Sequence, residues 1–151
     1  MQLAHYLGLL DRAQTELARA FREVGLAHRD EPDVFHICER LARQCETTAD
    51  ELRPFAARYG EEADDEPERL HTELFAGTRS GPLALLRDLH DVYLMACESA
   101  ISWTVISQAS QGARDPALLD LATRGESMTA GQIAWITTRI KQAAPQVLVV
   151  A

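Results

Sequence analysis

Apolar residues return at steps of three and four along most of the chain, the period that aligns side chains on one side of an α-helix. Leu3, Leu7, Leu10, Leu17, Phe21 and Val24 form one stripe, interrupted by Gln14. Val34, Cys38, Leu41, Cys45, Leu52, Phe55 and Tyr59 form a second, interrupted by Thr48. A third runs through Leu86, Leu89, Tyr93, Ala96, Ala100 and Trp103. The fourth joins Leu119, Ala122, Thr129, Ile133, Ile136 and Ile140, with Glu126 set inside it. β-like sequence is confined to the tail, Gln146 to Val150.

Punctuation agrees with the stripes. Asp30-Glu31-Pro32 and Asp115-Pro116 each put a side-chain acceptor just ahead of a proline, and Ser80-Gly81-Pro82 repeats the device. Gly112 and Pro145 suit helix ends. The pattern predicts helices near 2–28, 32–58, 82–111 and 116–143, with Pro54 kinking or ending the second. Residues 60–81 hold seven acids, two bases, Gly60, Pro67, Gly77 and Gly81, so 59–81 reads as an acidic crossover in which 68–74 offers a short helix. Residues 1–151 read as a single all-α domain.

Two pairs of long helices, each pair closed by a short loop and the pairs joined by a long central connection, resemble the ferritin-like fold, an antiparallel four-helix bundle of two helical hairpins. The resemblance covers helix order and lengths over nearly the whole chain. It implies a di-iron or di-manganese centre built from one Glu on each of two helices and Glu-x-x-His on the other two, because such ions take carboxylates and imidazoles converging in the bundle. Glu16, Glu46, Glu98 and Glu126 supply one glutamate per helix near mid-height. Ala49 and Thr129, however, stand three residues after Glu46 and Glu126, where the pattern has histidine. The expectation is a centre that is absent or degenerate. The core stripes instead carry Gln14, Cys45, Thr48, Glu126 and Thr129, a candidate small polar pocket in which a buried Glu126 needs hydrogen bonds or a raised pKa.

Charge changes the picture mainly by exclusion. With 15 Lys and Arg against 23 Asp and Glu, net −8, and no basic cluster, the chain lacks the positive surface that binds nucleic acid. No uncharged apolar run approaches the roughly 20 residues of a membrane span, and nothing at the N-terminus reads as a leader, so the expected location is cytoplasmic. Cys38, Cys45 and Cys97 are odd in number and off any metal-knuckle spacing, which reads as reduced thiols. Nucleophile elbows and glycine-rich phosphate loops are missing from the sequence.

The charge is also unevenly shared. Residues 2–59 carry 18 charged side chains and 82–143 carry 11, and Glu98 is the one charge between Val92 and Ala113. The third helix is thus apolar nearly all round, and Leu94, Ile101 and Val105, with Trp135 of the fourth, are expected to form a homodimer interface. The leading functional expectation is a non-catalytic ferritin-like binding or assembly protein without a cofactor. The alternatives are an iron or manganese carboxylate oxidase, or iron-binding protein, using Glu16, Glu46, Glu98 and Glu126, and a bundle that binds a small apolar ligand.

Overall fold

The computed structural model describes residues 2–60 and 73–150, and nearly all of its regular structure is four α-helices. They are α1 (Gln2–Ala27), α2 (Pro32–Gly60), α3 (Ala84–Gly112) and α4 (Pro116–Pro145), followed by a π-helical turn over Gln146–Val150. No strand occurs among the described residues. The β-like tail therefore continues the helix: Leu148, Val149 and Val150 stay exposed, with no sheet edge to receive them. None of the helices among the described residues is long and apolar enough to cross a membrane.

Three boundaries depart from the periodicity. Helix α2 runs through Pro54 to Gly60. Both Pro54 and Asp50, whose carbonyl loses its helical partner, are exposed, so water can take that carbonyl. Helix α3 starts at Ala84, two residues late, because Gly81 takes a left-handed φ of +92° and the Ala84 N–H closes a turn onto the Gly81 carbonyl at 3.1 Å. Helix α4 reaches Pro145, beyond 143. The acidic run 61–68 and most of the expected helix 68–74 lie outside the described residues. The described segment ahead of α3, residues 73–83, is irregular and buries Phe75.

Helix α4 begins as expected: Asp115 accepts the Leu118 N–H at 3.1 Å, and Pro116 opens the first turn. The same carboxylate accepts the Tyr59 hydroxyl at 2.7 Å and pairs with Arg58, so one residue caps α4 and ties it to the end of α2. Burial alone would raise the Asp115 pKa, but the bonds from Leu118 N–H and Tyr59 and the charge of Arg58 outweigh it and hold the carboxyl below 3.8.

Helix α1 packs on α2 and on α3, and α4 packs on α3; α4 meets α2 far more sparsely. The buried apolar residues fall into two clusters. One joins Leu17–Val24, Val34–Cys45, Phe75, Leu89–Ala96 and Ile136. The other joins Leu7, Leu10, Leu52, Trp103, Ile106, Leu118, Leu121 and Ala122. Trp103 enters the second by lying flat on Gly125, where an added Cβ would stand 2.4 Å from the indole ring. Only glycine permits that approach.

A buried ionic clasp closes the side of the molecule where α1 meets α3. The Asp88 carboxylate, with no exposure, lies 2.7 Å from His28 Nε2 at the end of α1. It also accepts the backbone N–H of Arg79 at 3.1 Å and the Arg79 guanidinium at 3.0 Å. Arg79 reaches Asp91 at 2.8 Å as well. The segment ahead of α3 is thereby fastened to α1 and α3 together.

Candidate functional site

Between the two apolar clusters every helix places polar or small residues at buried positions. They are Gln14 on α1, Thr48 on α2, Ser99 and Ser102 on α3, and Gly125, Thr129 and Gln132 on α4. The result is a polar layer across the middle of the protein. Its hydroxyls are mostly satisfied at home, each by the carbonyl four residues back: Thr48 to Gln44 at 2.7 Å, Ser102 to Glu98 at 3.0 Å and Thr129 to Gly125 at 2.8 Å. Its amides are not. Both polar atoms of Gln14, the Ser99 hydroxyl, the Trp103 indole N–H and the Gln132 carbonyl oxygen are buried without a hydrogen-bond partner among the described residues.

The layer opens on one side. Helices α2 and α4 leave a cleft between them, with one lobe of about 390 Å³ and another of about 280 Å³ that share Arg40, Gln44 and Met128. Long side chains hold this seam apart. Arg124 of α4 bridges to Glu51 of α2 at 2.8 Å, the Gln132 Nε2 donates to Gln44 Oε1 at 3.3 Å and Cys45 Sγ at 3.4 Å, and Thr48 Oγ1 stands 3.2 Å from Met128 Sδ. Thr48 and Gly125 line one lobe and Gln132 the other, so the cleft reaches the polar layer directly.

Of the residues singled out in the sequence, Gln14, Cys45, Thr48 and Thr129 are all buried at or beside this layer. Glu126 is not in it. The inner line of α4 passes through Ala122, Gly125, Thr129 and Gln132, one position round from Glu126, which is half-buried and has no ion pair among the described residues. Ser99, Ser102 and Gln132 belong to the layer but were not singled out; Gln132 carries a signal, since it lies three residues after Thr129 and four before Ile136 on the same stripe. Burial pushes the Cys45 thiol up to about 12, against the lowering effect of the Gln132 hydrogen bond, and burial with the nearby Asp33 charge pushes Cys38 equally high. Neither is a ready nucleophile at neutral pH.

The four glutamates do not assemble. Glu46 is exposed and paired with Arg22, Glu98 is exposed, and Glu16 and Glu126 are half-buried. Among the described residues no three His, Cys, Asp or Glu side chains come together as metal ligands. A di-metal group thus does not fit these residues. Leu94, Ile101 and Val105 are exposed on one line of α3. Trp135 is elsewhere: it is half-buried, packs against the first apolar cluster and lines the α2–α4 cleft, which removes it from the expected interface.

Comparison with protein-family models, curated proteins and solved structures finds no significant match to this chain.

Proposed function

We propose that the protein is a non-catalytic, cytoplasmic four-helix bundle with ferritin-like connectivity that works by binding a small molecule in the α2–α4 cleft. Support for the connectivity comes from residue pairs that run in opposite chain directions. These are Arg53–Asp11 and Arg22–Glu39 for α1 with α2, and Glu51–Arg124 and Gln44–Gln132 for α2 with α4. Such pairings are what two antiparallel hairpins joined by a crossover produce. The observation that carries the binding function is the buried polar layer with unpaired amide atoms beneath an open cleft. Burying an unpaired polar group costs about 1–3 kcal/mol, and binding sites are where such a cost is repaid by a ligand.

The test is to fill the cleft without touching the core. Met128 is half-buried and lines both lobes, so Met128→Trp occupies the space while the rest of α4 stays as it is. A thermal-shift screen of a small-molecule library should yield compounds that raise the Tm of the wild type and leave Met128→Trp unmoved. Hits that stabilise both proteins equally overturn the cleft assignment. About two iron or manganese ions per chain, in protein purified without chelator, would overturn the non-catalytic reading.

A second property rests on a separate observation. Leu94, Glu98, Ile101 and Val105 recur at steps of four, three and four on the exposed side of α3, the spacing of a helix seam, and we assign this line to a two-fold homodimer. Ile101→Arg, which puts two cations near the axis, should give a folded monomer by light scattering. A wild type that is monomeric at tens of micromolar removes the dimer.

A further inference from the structure

The cleft has a chemistry more specific than its size, and the ligand class it implies rests on the cleft being a binding site. Its mouth carries three arginines, Arg40, Arg43 and Arg124. Two are already committed. Arg124 lies 2.8 Å from Glu51 and 3.0 Å from Asp120, and Arg43 lies 3.4 Å from Glu39. Arg40 has no ion pair among the described residues, although the chain as a whole is acidic at net −8. An uncommitted guanidinium offers a planar pair of donors that matches one carboxylate.

Below the mouth the walls combine apolar Leu121, Met128, Leu41 and Trp135 with the hydroxyls of Thr47, Thr48 and Ser127. At the floor sits Gln132, 1% exposed. Its N–H₂ group is spent on Gln44 and Cys45, and its carbonyl oxygen has no partner among the described residues. What is left over is one buried acceptor beside the cleft. A ligand that satisfies it must bring a donor, either a hydroxyl or an amide N–H.

We infer that the α2–α4 cleft takes a carboxylate-bearing amphiphile, with the carboxylate on Arg40, an apolar body between the helices, and a hydroxyl or amide N–H in that body donating to Gln132 Oε1. A polyphosphate or nucleotide is disfavoured by the same inventory, since it would set several negative charges at a mouth where Glu39 and Glu51 already neutralise Arg43 and Arg124. The joined lobes fall within the span of about 300–1,000 Å³ usual for small-molecule sites.

Isothermal titration of the purified chain with 12-hydroxydodecanoate, dodecanoate and uncharged 1,12-dodecanediol tests each element. The hydroxy acid should bind one per chain, several-fold tighter than dodecanoate and about tenfold tighter than the diol. Arg40→Met should weaken the hydroxy acid about tenfold and leave the diol unchanged, with helical circular dichroism intact. Met128→Trp should abolish binding of all three, and Ile101→Arg on the far apolar line should change nothing. Equal affinity for acid and diol, or an Arg40→Met that weakens both alike, overturns the carboxylate inference while leaving the cleft standing. The inference also falls if none of the probes binds. Binding that survives Met128→Trp, or that is lost in Ile101→Arg, overturns the cleft itself.

Discussion

The two seams that join the first helix pair to the second are built differently. Where α1 meets α3, contact is close and its end is sealed by the Asp88, His28 and Arg79 clasp, a carboxylate without exposure satisfied from three directions. Where α2 meets α4, contact is sparse and the seam is pinned at its ends, by Arg139 to Asp33 at 2.7 Å and Glu31 at 3.0 Å and by Arg58 and Tyr59 to Asp115. Between them arginine, glutamine and methionine side chains span the gap, and the Arg124–Glu51 pair faces solvent. Buried charges hold a structure only when every one is partnered, so breaking such a set is expensive, whereas exposed pairs are screened and contribute little. One side is therefore a fixed wall. The other is open only along its middle stretch, between pinned ends.

Substitutions should separate the two sides in order of effect. Trp103→Ala empties the space over Gly125 inside the second apolar cluster and should cost about 4 kcal/mol, within the 3–5 kcal/mol usual for a buried aromatic, read by denaturant unfolding. Asp88→Asn removes the charge shared by His28 and Arg79 and should cost about 3 kcal/mol, at the low end for a buried pair because Arg79 is partly exposed. A loss under about 1 kcal/mol would mean that the closed seam does not depend on its clasp. Gln14→Leu should act in the opposite direction, raising stability by about 1–2 kcal/mol, because it removes two buried polar atoms with no partner among the described residues. If it destabilises instead, the amide has a partner that matters to the fold.

Two smaller effects sharpen the contrast. Asp115 has its pKa lowered in the folded state, so its contribution is present above the ordinary carboxyl value of 3.8 and fades as pH falls through the lower folded value. Asp115→Ala should cost about 1 kcal/mol at neutral pH, through the lost cap, and the gap between mutant and wild type should narrow below about pH 4. Arg124→Met, on the open seam, should change stability by less than about 0.5 kcal/mol. A cost near that of Asp88→Asn would erase the distinction between the seams.

The stripes made the four helices legible because burial on one side imposes their period directly. Gln14, Cys45, Thr48 and Thr129 were legible for the same reason: a polar or small residue inside an apolar stripe has to be buried. Glu126 misled because a helix of 3.6 residues per turn drifts against steps of three and four, and the inner line had moved to Gly125, whose missing side chain leaves no mark in a hydrophobic pattern. Trp135 misled because an apolar side chain on a charge-poor helix does not reveal which neighbour it faces. The clasp was not legible at all: His28 and Asp88 lie 60 positions apart, and nothing local to either residue announces the other. The cleft was hidden for a related reason, since seam width depends on which residues face each other across two helices. The start of α3 was displaced by the backbone of Gly81, whose positive φ turns the chain before the helix can begin.

The placement of the two tryptophans gives the molecule a built-in optical readout. Trp103 is fully buried in an apolar cluster with its indole N–H unpartnered among the described residues, an environment that shifts emission to the blue and shields the ring from dissolved quenchers. Trp135 is half-buried at the wall of the cleft, where emission lies further to the red and iodide or acrylamide can reach it. A single emission spectrum thus contains two separable colours, one reporting the interior beside Gly125 and the other the open seam. Changes confined to the red component register events between α2 and α4 while the blue component certifies that the packing around α3 is undisturbed.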